Sequence, residues 1–214
     1  MKVMIVPVTP FQQNCSIVWD ERTRQAAVVD PGGDLQHIVA QLDRAGLTLE
    51  KILLTHGHLD HAAGTAELAA MKQVPIEGPH TADQFLIDEL PRQAAQFRFP
   101  QSRSFVPNRW LTQGDEVTIG GERMEVRHCP GHTPGHVVFI HPSARVAFVG
   151  DVLFAGSIGR TDLPRGNHTD LIHSIRDNLF PLGDDITFVP GHGQTSTFGH
   201  ERQTNPFVAD RLFR

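Results

Sequence analysis

The chain has 214 residues, 39% of them hydrophobic, with 19 Lys+Arg against 24 Asp+Glu and a formal net charge of −5. That length allows a sizeable core, and an acidic balance without any basic run excludes a nucleic-acid footprint and a polybasic membrane patch. The start MKVMIVPVTPFQQNC is too short and too broken by Pro7 and Pro10 for a secretory segment, no stretch is long enough to span a bilayer, and Cys15 and Cys129 form no disulfide framework, so a cytoplasmic protein without nucleic-acid or membrane partners is expected.

In chain order, KVMIVPV, SIVW, AAVVD and KILLT read as strands, followed later by EVTI, RMEVRH, HVVFI, RVAFVG and ITFVP; Val and Ile dominate them, and Gly, Pro and Asp punctuate their ends. Helical patterns interleave. DLQHIVAQLDRAG is predicted to start on Asp34 as N-cap and to close on Gly46. HAAGTAELAAMK reads as one helix that tolerates Gly64. TADQFLIDELPRQAAQF has Thr81 as its cap and a bend or end at Pro91. NHTDLIHSIRDNLF places Leu171, Ile175 and Leu179 on one apolar face. Strands in meander order and then mixed with helices predict sheets with helices packed outside them. The apolar end NPFVADRLFR is expected to pack on its own domain or on a neighbour.

There are 13 histidines and no tyrosine, and position decides what the histidines mean. KILLT runs into His56, His58, Asp60 and His61; RMEVRHCPG runs into His132; RVAFVG runs into Asp151; ITFVPG runs into His192. Each time a mostly apolar run ends in a glycine-containing turn with a His or Asp at the exit. Strand ends along one sheet edge would deliver these side chains to one cleft. Taken singly, His192 reads as a surface residue and Asp151 as a turn former; together, five imidazoles and two carboxylates are too many for one four-coordinate zinc and suit two ions sharing a carboxylate. In extended backbone His56 and His58 point the same way, while Asp60 and His61, where a helix begins, can face a second ion.

The stretches THGHLDH, CPGHTPGH, FVGDVLF, GSIGRTDLPRG and FVPGHG resemble, in order, the motifs of the metallo-β-lactamase superfamily, and their spacing with the ending GHGQTSTFGHERQTNPF is similar to the short, single-domain bacterial glyoxalase II (hydroxyacylglutathione hydrolase) group. The resemblance runs from PVTPFQQNC to NPF. It implies an α/β (α+β) fold, a four-layer αββα sandwich, with residues 1–214 as a single domain and no separate C-terminal glutathione-binding helical domain; the basic and tyrosine contacts of longer relatives are not carried over. It also implies two divalent metal ions, zinc foremost, with iron or manganese as the other options. His56, His58 and His132 would hold the first ion and Asp60, His61 and His192 the second, with Asp151 bridging.

The implied activity is hydrolysis of a small-molecule thioester, a glutathione conjugate, with S-D-lactoylglutathione yielding D-lactate and glutathione. A metal-bridging hydroxide would attack the carbonyl, and Asp60 and Asp151 are the catalytic carboxylates of that scheme. The alternative is a mononuclear-iron persulfide dioxygenase acting on glutathione persulfide, which would use His56, His132, Asp151 and the GRTD stretch. His136 is expected to orient a loop rather than bind metal. Arg160 and Asp162 are expected to form a buried pair bracing the site. Cys15 and Cys129 read as buried residues. His37, His80, His128, His141, His168, His173 and His200 read as ordinary surface or capping residues.

Overall fold

A computed structural model describes residues 1–213. Two sheets lie back to back. The first has the order β1 (Lys2–Val8), β2 (Gln13–Trp19), β3 (Gln25–Val29), β4 (Thr48–Leu53), β5 (Ile76–Glu77), antiparallel through β3 and parallel from there. Strands β6 (Glu116–Ile119), β7 (Glu122–His128), β8 (Val137–His141) and β9 (Val146–Gly150) form an antiparallel meander in the second sheet; a short ribbon of β10 (Leu153–Phe154) and β11 (Ser157–Ile158) follows. Strand β12 (Thr187–Pro190) then adds parallel to β9, and β13 (Ser196–Thr197) closes the edge.

The central strands are apolar at nearly every position because both of their faces are covered. Between the sheets, Val18, Ala27, Val29 and Leu53 meet Val126, Val137, Phe139 and Phe148. The alternate residues face outward onto helices. Ile17, Val28 and Ile52 pack against Ile38 and Leu42 of α1 (Leu35–Arg44), Leu59 of α2 (Leu59–Ala62), Leu68 of α3 (Thr65–Lys72) and Ile87 and Leu90 of α4 (Gln84–Phe97). On the other side Val138, Ile140, Val149 and Phe188 pack against Leu171 of α5 (His168–His173), the following Ile175 and Leu179, and Phe198 of α6 (Phe198–Thr204). This is the expected four-layer sandwich, and no helix among the described residues is long and apolar enough to cross a membrane.

Four local expectations change. Asp34 stands at the N-cap of α1 with positive φ, yet its carboxylate accepts from the Thr9 N–H at 2.7 Å and does not cap the helix. The helix expected across Gly64 is two helices. The break lies where Gly64 N–H donates to Pro31 O at 3.0 Å, and a Cβ on Gly64 would stand 2.5 Å from that oxygen. Thr81 does not cap α4; His80 caps a single 3-10 turn before it, with its ring accepting from Ala82 N–H. Pro91 does not end α4, because Leu86, Ile87, Leu90 and Ala94, buried on both sides of it, together outweigh the roughly 3 kcal/mol that an interior proline costs. The face of Leu171, Ile175 and Leu179 forms as expected, although the backbone widens to a π-helical turn over Ser174–Leu179. Val208 and Ala209 of the tail pack on this chain's own second sheet region; Arg214 lies outside the described residues.

The Gly64 contact sets two effects against each other. Alanine would gain about 0.5–1 kcal/mol of backbone propensity, but overpacking against a backbone oxygen costs about 1–3 kcal/mol. Gly64→Ala is therefore expected to lower the urea midpoint; an unchanged or higher midpoint would show that the crossing is loose.

Candidate metal centre

The strand exits do converge. After β4 the chain stays extended through His58, the N-cap of α2 (φ −67°, ψ 151°), so Asp60 and His61 occupy that helix's first turn. On the second sheet the register between β12 and β9 shifts at Val189/Pro190, so that Pro190 faces Gly150 and Gly191 N–H donates to Gly150 O at 2.7 Å. A bulge of this kind re-aims side chains at a sheet rim, and here it sets Asp151 beside the turn to His192. Only glycine fits at position 191: a Cβ there would lie 2.0 Å from Asp151 Oδ1 and 2.6 Å from His61 Cε1.

Two triads result. Ligand-type atoms of His56, His58 and His132 lie within 4.8 Å of one another, and so do those of Asp60, His61 and His192. Asp151 touches both, with Oδ1 3.4 Å from His61 Nε2, and Oδ2 3.6 Å from His132 Nε2 and 3.8 Å from His192 Nε2. Inside the triads His58 Nδ1 is 2.9 Å from His132 Nε2, and His192 Nε2 is 3.0 Å from Asp60 Oδ2.

In four of the five rings the other nitrogen is already engaged. His61 Nδ1 donates to Asp30 Oδ2 at 3.0 Å, His132 Nδ1 to Arg160 O at 2.8 Å, and His192 Nδ1 to Phe11 O at 3.2 Å. Thr55 Oγ1 donates to Asp30 Oδ2 at 2.6 Å and so accepts from His56 Nδ1 at 3.0 Å. These bonds fix the tautomers and leave Nε2 of all four rings facing the cleft. Asp30, His56 and His61 also lie close enough to be a third cluster, but Asp30 is occupied by Thr55 N, Thr55 Oγ1 and His61, which makes it an orienting carboxylate.

The charges divide the site. Burial, reinforced by neighbouring imidazoles, pushes the pKa of His56 well down and that of His58 to about 3. Burial likewise lowers His132. Among the carboxylates the direction reverses: against its own burial, Asp151 and Asp60 raise the pKa of His61, and the bond to Asp60 raises that of His192. Asp151 ionises far below the usual carboxylate range, because His61, His132 and His192 overcome its desolvation. Inside this ring His56 Nε2, His61 Nε2 and Asp151 Oδ1 are buried without a hydrogen-bond partner among the described residues. With the His61 proton kept at Nδ1 by Asp30, all three are acceptors, and buried acceptors without a donor are costly unless something electropositive fills the space between them. The donor set, imidazole and carboxylate without thiolate, suits divalent zinc, iron or manganese.

All seven residues singled out in the sequence are thus brought together. His136 touches them without joining either triad: it accepts from Asp151 N–H through Nε2 at 3.1 Å and stacks on His56. The Arg160–Asp162 pair forms, at 2.7 Å, but it is exposed on both sides instead of buried. Arg160 braces His132 through its backbone oxygen, which leaves the guanidinium free to reach solvent. Cys15 and Cys129 are buried, and burial raises both thiols. His141 is not a surface residue; it is buried, with Nε2 on Glu122 at 2.8 Å and Nδ1 accepting from Ala144 N–H.

Two participating residues escaped the sequence reading. Asp30 had the right signal, an apolar run ending in Asp before a glycine turn. Asp83 had none. It is fully buried one residue before α4 and accepts from Gly57 N–H at 3.0 Å, Thr133 Oγ1 at 2.8 Å and Gly135 N–H at 2.6 Å, so it ties the His56–His61 loop to the His132 loop. A cavity of about 560 Å³ opens over the triads, lined by His58, Asp60, His132, Asp151 and His192 below and by Phe11, Arg92, Gln93, Gln96, Phe97 and Arg160 at the rim. A larger groove of about 990 Å³ between α1 and α3 holds none of the triad residues.

Comparison with known proteins agrees with this geometry. The metallo-beta-lactamase superfamily pattern matches residues 8–192. A hydroxyacylglutathione hydrolase GloC of Haemophilus influenzae is 47% identical over 209 residues, covering 97% of this chain and 98% of its own. Among solved structures, the B3 metallo-beta-lactamase BLEG-1 superposes with a TM-score of 0.89 at 34% identity, covering 97% of this chain and 99% of its own. TTHA1623 in a di-iron-bound form has a TM-score of 0.86 at 34% identity, covering 96% and 100%.

Asp83 gives a pH-dependent test. Desolvation outweighs its three hydrogen bonds and raises its pKa from 3.8 to about 6. The folded chain therefore holds this proton where the unfolded chain has lost it, and the Asp83 contribution to stability falls as pH rises from about 4 to 6. Asp83→Asn removes that titration. The wild-type minus variant difference in unfolding free energy, measured in urea at both pH values, should shrink by about 2 kcal/mol over that interval; a flat difference would refute the assignment.

Proposed function

This chain belongs to the metallo-beta-lactamase superfamily and is a metal-dependent hydrolase, and from that premise we propose that it hydrolyses small-molecule thioesters, S-D-lactoylglutathione to D-lactate and glutathione, using two divalent cations. The observation that carries this reading is the second triad. One triad with Asp151 would suffice for a single ion, whereas Asp60, His61 and His192 form a second set of donors within 4.8 Å, sharing Asp151 with the first. In this reading His56, His58 and His132 hold one cation, Asp60, His61 and His192 hold the other, and Asp151 contacts both. The hydrolase activity of the Haemophilus relative supports the thioester as substrate.

When bound, the ions supply a water of lowered pKa and an electrophilic partner for a carbonyl oxygen. The residues do the rest. Asp30, Thr55 and the Arg160 and Phe11 carbonyls hold the imidazoles in register, so the reacting groups meet without reorganisation. Asp60, at the cavity floor, turns Oδ2 to His192 and the second triad, which leaves Oδ1 to take the proton from the attacking water and hold it. As the carbonyl carbon gains oxygen and loses sulfur, the departing thiolate faces the open cavity and can take that proton back. Neither cysteine takes part, since both are buried with raised pKa.

Purified protein should turn over S-D-lactoylglutathione with close to two metal ions per chain by elemental analysis. His58→Ala and Asp151→Ala should each lower kcat/KM at least about a thousandfold, a loss of roughly 4 kcal/mol of transition-state stabilisation, while keeping the far-ultraviolet circular dichroism of the parent. Full thioesterase activity in either variant would overturn the assigned roles. One iron per chain, with oxygen uptake on glutathione persulfide, would establish the dioxygenase alternative instead.

A further inference from the structure

We propose that the outer half of α4 is the subsite for the carboxylate-bearing, peptidic half of the thiol, with Arg92 as its anion contact; this deepens the thioester-hydrolase reading above and rests on it. The cavity is polar in two separate zones. Its floor holds the imidazoles and carboxylates of the two triads, while its rim carries two cations, Arg92 and Arg160, and two amides, Gln93 and Gln96. A ligand that brings its reacting carbonyl to the floor must leave its remaining length along that rim.

The pattern of α4 explains why the rim is built there. Ile87, Leu90 and Ala94 are buried and fasten the helix to the first sheet. Leu86, Gln93 and Phe97, seven and four residues apart, share the neighbouring stripe, and Arg92 and Gln96 lie beside it at i, i+4. The helix thus presents Leu86 and Phe97 with the Gln93 amide between them, and a cationic and a second amide group at the edge. Phe97 is 55% exposed, and Phe11, which also lines the cavity and stacks on Phe99 just past α4, is 53% exposed. Two such rings at a cavity mouth suit the methylenes and the thioester sulfur of a small acylated thiol. The helix is also fixed relative to the floor, since the adjoining Asp83 binds Gly57 and Gly135 in the loops that carry His56, His58 and His132.

Arg92 is free to exchange its partner. Its present ion pair, with Glu89 one turn back, is exposed on both sides, and such a pair contributes little. A guanidinium binds a carboxylate bidentately with fixed geometry. Glutathione carries two carboxylates and two peptide groups, whereas a thiol such as N-acetylcysteamine carries no carboxylate and has nothing to offer Arg92. The chemistry of the rim therefore selects an anionic, peptide-like thiol over a neutral one.

The test compares metal-loaded wild type with Arg92→Gln and with the Arg92→Gln/Gln96→Ala double variant, on S-D-lactoylglutathione and on the D-lactoyl thioester of N-acetylcysteamine. Wild type should favour the glutathione thioester, and the ratio of the two kcat/KM values should fall about tenfold in Arg92→Gln, about 1.4 kcal/mol, through KM of the glutathione thioester. An unchanged ratio, or equal wild-type activity on both thioesters, overturns the subsite and leaves the thioesterase reading standing. Calorimetry with the non-hydrolysable S-methylglutathione separates the two questions. If neither thioester is cleaved, the hydrolase reading fails; the subsite then stands if S-methylglutathione binds wild type about tenfold more tightly than Arg92→Gln, and falls if it binds both alike or neither.

Discussion

Asp151 is buried with one oxygen 3.4 Å from His61 and the other 3.6 Å from His132, and a carboxylate taken out of water in this way costs several kcal/mol unless cations compensate it. Much of the surrounding structure answers that cost. Protons on His61 and His192 are one form of compensation, and the raised pKa of both rings expresses it. Divalent cations would be the stronger form, because they would also engage His56 Nε2 and His61 Nε2, which have no other partner among the described residues. Electrostatics and hydrogen-bond accounting thus point to the same occupant by independent routes.

Holding so many lone pairs at one place requires rigid support from outside. The two sheets supply it: the side chains leave at the ends of β4, β7, β9 and β12, and each of these strands lies beside partners on both edges or beneath helices. Hydrogen bonds at the far ring nitrogens then choose which nitrogen is offered. Asp30 is central here, since one carboxylate orients His61 directly and His56 through Thr55. Removing such an outer partner is expected to misplace a donor without deleting it. Precision at the site therefore depends as much on residues that never reach the cleft as on those that do.

The seven clustered side chains were legible in the sequence because strand exits are local events, whereas the four-layer fold was legible through the resemblance to a known superfamily. An apolar run, a glycine turn and a His or Asp are contiguous, and His56, His58, Asp60, His61, His132, Asp151 and His192 all carry that signature. What was not legible is what distant segments do to one another. Gly64 stands at a helix break where its N–H is taken by Pro31, Asp34 forgoes capping because its carboxylate is taken by Thr9 N–H, and Asp83 joins two loops that lie 26 and 52 residues away at their bonded glycines. Arg160 shows the same limit from the other side. Its neighbour Asp162 was readable as a partner, but the exposure of the pair depends on where the loop lies over the second sheet.

The division between floor and rim has a consequence for how such a site can diverge. The floor residues are tied to one another: Asp151 contacts three imidazoles, and Gly191 admits no side chain, so a change at one position disturbs several donors together. The rim residues of α4 share no such constraint. Arg92, Gln96 and Phe97 are exposed, and the helix is secured by Ile87, Leu90 and Ala94 on a different stripe. Substitutions at exposed positions without shared partners act nearly independently of the core. A single arrangement of imidazoles and carboxylates can therefore serve different substrates through changes on one helix face, which fits a superfamily whose similar folds include both a hydroxyacylglutathione hydrolase and a B3 metallo-beta-lactamase.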